Sequence, residues 1–188
     1  MTPVLITPPA LEPLTLAEAR SWLRLDTGDE DALVSALITA ARLAVERASG
    51  RLLLTQNWRL IGDAWPPGGR LTLPLAPVSA IAAVRVYDAA DLAASLPLAA
   101  FRLEAQRDPP LLVLAAPVAG PGRPGGGIEI DLTCGYGAAP ADVPEPLRLA
   151  VRLLVARWFE NRGDIPASSA PLPPDVALLL APFRRPRL

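Results

Sequence analysis

The sequence has no histidine and no lysine, and in 188 residues cysteine occurs once, as Cys134. Without an imidazole, the usual general acid–base group near neutral pH is missing. With one thiol, zinc clusters and cysteine–histidine pairs cannot be assembled from this chain either. A single cysteine also excludes an intrachain disulfide and fits a reducing compartment. No long uninterrupted apolar span and no charged segment leading into an apolar signal core are present, so the expectation is a chain made in the cytoplasm with no membrane partner. Charge is sparse, with 20% charged residues, a net charge of −1 and a pI near 5.5, which leaves no broad basic field for gripping a nucleic-acid backbone. The basic residues are all arginine, as a GC-rich coding sequence produces and as forked contacts at protein interfaces also favour.

Hydrophobic residues make up 51% of the chain, apolar for a soluble monomer, which suggests surface that another chain covers. Proline and glycine fall between periodic segments and punctuate them. After an extended, proline-rich start, Thr15 and Glu18 form a capping-box pattern that opens a short helix to about Leu25, with Leu16, Ala19, Trp22 and Leu23 on one face. Asp29, Glu30 and Asp31 place negative charge where a second helix begins. Val34, Leu37, Ile38, Ala41, Ala44, Val45 and Ala48 form its apolar face, and Gly50 ends it. A third helix is expected from Asp142 as cap, with Pro144 in the first turn and an apolar stripe of Leu147, Ala150, Val151, Leu154, Val155, Trp158 and Phe159. Trp158→Ala is therefore expected to collapse the fold, at roughly 3–5 kcal/mol. A proline-rich linker over 165–173 leads to a last short helix with Val176, Leu179, Leu180 and Phe183 as its apolar face.

Between about residues 52 and 134 the period shortens to two. Trp58/Leu60, Leu71/Leu73, the run from Ile81 to Tyr87, and Ile128/Ile130/Leu132/Cys134 alternate as strands separated by Pro- and Gly-rich turns. The glycine-rich stretch 120–127 lacks a Gly-Lys-Ser/Thr ending and precedes a strand, so it reads as a hairpin connection, not a phosphate loop. The Asp29–Asp31 cluster reads as helix-terminal charge, and calcium-loop spacing is absent. No cofactor, metal or catalytic residues are expected. Trp65, beside two prolines, is expected to be the exposed tryptophan.

The order of several motifs resembles the head-tail connector, or adaptor, family of long-tailed phages and gene transfer agents. They are Leu14-Thr15-Leu16-Ala17-Glu18-Ala19-Arg20, Leu23-Arg24-Leu25-Asp26, Asp29-Glu30-Asp31-Ala32-Leu33, Ala40-Ala41-Arg42 to Glu46, and Ser49-Gly50-Arg51. They continue with Thr55-Gln56-Asn57-Trp58, Leu73-Pro74-Leu75-Ala76-Pro77-Val78, Thr133-Cys134-Gly135-Tyr136-Gly137, Val143-Pro144-Glu145-Pro146-Leu147, Trp158-Phe159-Glu160-Asn161-Arg162 and Leu180-Ala181-Pro182-Phe183-Arg184. The resemblance implies an α+β fold, a small bundle of about four helices with a β-rich insertion between the second and third long helices. The expected division is 1–51 for the first helices, 52–137 for the β insertion, 138–164 for the central helix, and 165–188 for a linker and C-terminal docking helix.

It further implies a non-enzymatic structural protein located in the particle neck. Its partners would be copies of itself in a twelvefold ring, the portal protein, and a tail-side neck or stopper protein, with DNA passing through the channel without sequence-specific binding. Leu179, Leu180, Phe183, Arg184, Arg185 and Arg187 are the portal-docking candidates, an apolar anchor beside forked cations. Two other readings remain open on the residues alone. One is a DNA-binding or packaging accessory protein, suggested by the Arg-rich end and opposed by the acidic pI. The other is a carboxylate-dependent hydrolase.

Overall fold

The computed structural model describes residues 1–161 and 172–184. The local helix signals act as expected. Thr15 accepts from the Glu18 amide through its hydroxyl while the Glu18 carboxylate accepts from the Thr15 amide at 2.9 Å, and α1 follows at Leu16–Leu23. Arg24 closes α1 in the left-handed region at φ 56°. The second helix, α2, is Asp31–Ser49, ended by Gly50 at φ 71°, a conformation that glycine adopts without strain. The third, α3, is Glu145–Glu160, and the last, α4, is Pro174–Leu180. Asp142 does not cap α3. It accepts from the Ala139 amide at 2.8 Å, closing the 3-10 turn of Pro140–Asp142, so the residue preceding α3 is Pro144, with no side-chain cap. The nearer turn captures the carboxylate because its donor is three residues back in a chain already bent by Pro140.

Eight strands are present among the described residues, one before α1 and seven between α2 and α3: β1 Thr2–Thr7, β2 Gln56–Gly62, β3 Arg70–Thr72, β4 Val78–Tyr87, β5 Ala93–Ser95, β6 Phe101–Glu104, β7 Leu111–Leu114 and β8 Ile128–Cys134. The protein is α+β, with four α-helices and two antiparallel sheets among the described residues.

The chain divides into two compact units. One is Met1–Pro9 with Thr55–Gly135, and the other is Ala10–Leu54 with Tyr136–Leu188. The extended start expected before the first helix is a strand, Thr2–Thr7, grouped with the β unit and not with the first helices of 1–51. It pairs with β2 because its β-branched, uncharged residues fit a pleated ribbon once a partner strand is present. In the helical unit, Val34, Ile38, Ala41 and Val45 of α2 share a core with Leu147, Ala150, Val151, Leu154 and Val155 of α3, and with Val176 and Leu180 of α4.

The β unit holds a five-stranded sheet in the order β1-β2-β8-β4-β5 and a three-stranded sheet in the order β3-β7-β6. Alternation along β8 buries Ile128, Ile130, Leu132 and Cys134 on one face, while Glu129, Asp131 and Thr133 turn to the other. Burial of Cys134 pushes its thiol up to about 12, so it stays protonated and unreactive near neutrality. Residues 120–127 join β7 to β8, which lie in different sheets, so the connection is not a hairpin. Its glycines serve close backbone approach. The Gly122 and Arg123 amides donate to the Tyr87 carbonyl at 2.8 and 3.2 Å, and a Cβ on Gly122 would sit 2.6 Å from the Ala89 nitrogen. No sheet-to-helix turn forms there to cradle a phosphate.

Candidate interaction surfaces

The C-terminal segment carries the residues that the sequence offers for docking, and the structure splits them. Val176 and Leu180 are 1% and 0% exposed in the helical core, because positions four apart on α4 face the same side. Leu179 and Phe183 are half-buried against that core, and the Phe183 carbonyl accepts from Arg51 Nε at 2.9 Å. Arg184 is exposed, while Arg185 and Arg187 lie outside the described residues. Leu178, not among the sequence candidates, is 75% exposed.

A second polar group lies inside the helical unit. Arg42 donates from Nε to Glu12 at 2.8 Å and from Nη1 to Glu46 at 3.0 Å, and Glu46 accepts from the Leu53 amide at 2.9 Å. Arg42 and Glu46 are both buried. The Arg42–Glu46 pair lies within α2, and its outward bonds tie that helix to Glu12 before α1 and to Leu53 on the chain leaving toward β2, which is a structural task. The i,i+4 charges flanked by buried Ala41 and Val45 were the available signal, since charges so placed fall on the inner face.

The outer face of the large sheet is an ion-pair network. Arg59 Nε lies 2.6 Å from Asp131 and its Nη1 3.2 Å from Glu129, while Arg85 Nη1 lies 2.8 Å from Asp131. Arg123 stacks over the Tyr87 ring at 4.2 Å and pairs with Asp91 at 2.7 Å. The hydrogen bond from Arg59, followed by that from Arg85, holds the Asp131 carboxyl below the usual carboxylate range despite its partial burial. Both guanidinium groups are thus occupied within the sheet and leave little positive field for a phosphate backbone.

A depressed folded pKa contributes stability that is present above the unfolded value and is lost as pH falls through the folded one. Asp131→Asn is therefore expected to lower the melting temperature at about pH 7, with the gap to the parent closing as pH drops toward about 2. A gap constant over that range contradicts the pairing. Among the described residues no group of three or more acidic or cysteine side chains is placed to hold a metal ion.

Three tryptophans lie otherwise than the sequence suggests. Trp22 is 48% exposed beside a shallow depression lined by Ala17, Glu18, Ser21, Arg24 and Arg152, because α1 ends one residue later and supplies no further turn to cover it. Trp65 is half-buried, with Nε1 donating to the Ala119 carbonyl at 2.9 Å and its ring 5.6 Å from that of Phe101. Trp158 is half-buried on the rim of the helical core, so Trp158→Ala is expected to cost less than the roughly 3–5 kcal/mol of a fully buried ring and to give a lowered but still cooperative thermal melt.

β1 is the surface that sequence reasoning missed. All six of its residues are exposed, including Val4, Leu5 and Ile6, and it forms one edge of the five-stranded sheet. The run Thr-Pro-Val-Leu-Ile-Thr, rich in β-branched residues, was the readable signal.

No family model matches the chain, and no curated protein does. Solved structures do. A chain in the neck of an empty GTA particle computed with C6 symmetry is 34% identical, with TM-score 0.84, and the match covers 100% of this chain and 97% of that one. A chain in the virion of a native gene transfer agent (GTA) particle matches with TM-score 0.81, and one in the neck of a native GTA particle computed with C12 symmetry with 0.79, each at the same identity and coverage.

Proposed function

Because the chain belongs to the head-tail connector family found in the necks of gene transfer agent particles, we propose that it is a structural neck protein, assembled as a ring between portal and tail around a channel for DNA. The observation that carries this reading is the full-length match, at 34% identity, to chains of necks computed with C6 and C12 symmetry. Cyclic symmetry requires many copies in head-to-tail contact, each contact modest and repeated until the ring closes. We read the architecture as a small helical bundle interrupted by a β-rich insertion. The chain leaves the helical unit after Leu54 and re-enters it at Tyr136.

The internal satisfaction of Arg59, Arg85 and Arg42 accords with a channel protein that lets DNA pass without gripping it. Portal docking through the C-terminal segment remains part of this proposal. With Leu180 in the core, the available contacts are Leu178, Arg184 and the open sides of Leu179 and Phe183. Copy number tests the reading. Absolute quantitation of this chain in purified particles is expected to give twelve copies per neck; a single copy contradicts it.

A further inference from the structure

We propose that β1 is an acceptor edge for an extended segment of a different neck chain, which adds a strand to the five-stranded sheet alongside Thr2–Thr7. This rests on the neck reading above and names a partner surface for it. Among the described residues nothing pairs with the outer side of β1. Sheet edges are commonly protected by charged side chains, proline, a bulge, shortness or a covering element, and β1 has Pro3 and a register shift between Leu5 and Thr7, which leave Val4 and Leu5 as its open, regular stretch. Thr2–Thr7 carries no charge, and Val4, Leu5 and Ile6 are 41%, 44% and 49% exposed. The opposite edge differs in kind. β5 is only three residues long, which itself blunts pairing.

Pro3 decides which main-chain groups face outward. It has no N–H, so its pair with Leu60 fits the antiparallel ladder as the type that exchanges no hydrogen bonds. Val4, opposite Arg59, then turns its amide and carbonyl toward β2, and Leu5, opposite Trp58, turns both outward. Leu5 offers one donor and one acceptor, and Pro3 a further acceptor, before the register shifts between Leu5 and Thr7. An extended peptide backbone answers that pattern, and apolar side chains on it would cover Val4, Leu5 and Ile6.

A second copy of this chain fits the edge poorly. Pairing β1 with another β1 in antiparallel fashion needs a two-fold axis between neighbours, and adjacent copies in the related C12 neck are related by rotation about the ring axis instead. Pairing β1 with the β5 of a neighbour would have to run the sheet around the ring. A twist of about 20–25° per strand accumulates to roughly 80–100° across this sheet and carries the next copy out of the ring plane. With the two edges of the large sheet unsuited, and β3 and β6 at the edges of the smaller sheet only three and four residues long, the occupant that fits best is a strand from another protein of the neck.

The test uses purified particles made with benzoylphenylalanine replacing Ile6, together with amide exchange at Leu5. The expected results are a photo-crosslink to an extended segment of a different neck protein and exchange at Leu5 at least tenfold slower in particles than in the free chain. Leu5→Pro, which removes the outward N–H without touching the ladder to β2, is expected to leave the melting temperature within a few degrees and to weaken incorporation into necks at least tenfold. Leu5→Lys serves the same purpose by charge. A crosslink to a second copy of this chain, or Leu5 exchange unchanged in a neck that does contain the chain, overturns the β1 proposal and leaves the neck reading intact. Particles whose necks lack the chain overturn the neck reading itself.

Discussion

Glu46→Ala is expected to lower the unfolding free energy by about 3–5 kcal/mol, the largest single effect in the helical unit, because it breaks a buried ionic group by removing one partner. Two losses combine. Arg42 keeps only Glu12 opposite its charge, and the Leu53 amide, which Glu46 accepts at 2.9 Å, is left without that acceptor where the chain leaves α2. The conservative variant separates them. Glu46→Gln retains an oxygen for the Leu53 amide and removes the charge, so it is expected to lose less than Glu46→Ala. Chemical denaturation of the two variants beside the parent checks the order, and equal losses would mean that the Leu53 bond contributes nothing measurable.

Leu180→Ala is expected to cost about 2–5 kcal/mol, the range for truncating a fully buried leucine. Leu178, two residues away on the same helix, is 75% exposed, and Leu178→Glu is expected to leave stability within about 0.5 kcal/mol. The pair separates the two roles open to α4. If α4 only completes the core, Leu178→Glu assembles normally. If its outer side also docks on the portal, Leu178→Glu folds normally and yields filled heads without tails. Deleting 173–188 is less informative, since it strips Val176 and Leu180 from the core and is expected to unfold the helical unit before docking is tested. A melt of Leu180→Ala indistinguishable from the parent would contradict the burial of α4.

The parts of the fold legible in the sequence are those that neighbouring residues determine. Thr15 and Glu18 start α1, Gly50 stops α2, the i,i+3/i+4 stripe from Leu147 to Val155 fixes the inner face of α3, and strict alternation from Ile128 to Cys134 fixes that of β8. The features that escaped depend on partners distant in the chain. β1 is legible only as an extended start, because it becomes a strand by pairing with β2, fifty or more residues on. Trp65 is drawn in by the Ala119 carbonyl and the Phe101 ring, neither of them near it in sequence.

The surfaces were less legible than the core. Apolar periodicity reports that a face is covered but not whether this chain or another covers it. Leu180 and Leu178 illustrate the limit, since the same helix buries one and exposes the other. For Arg59 and Arg85, composition alone leaves their pairing open, and only the register of β2 and β4 on β8 sets both beside Asp131.

The central claim is that this chain is a repeated structural component of a particle neck. Electron microscopy of purified particles from cells producing this chain, with the neck reconstructed without imposed symmetry and the chain labelled at Leu92, an exposed turn residue, tests it most directly. The account predicts twelve labelled copies of this α+β fold in a ring at the junction of head and tail, surrounding an open channel. Label found on the head shell or tail tube, or a neck whose density holds no copy of this fold, would contradict it.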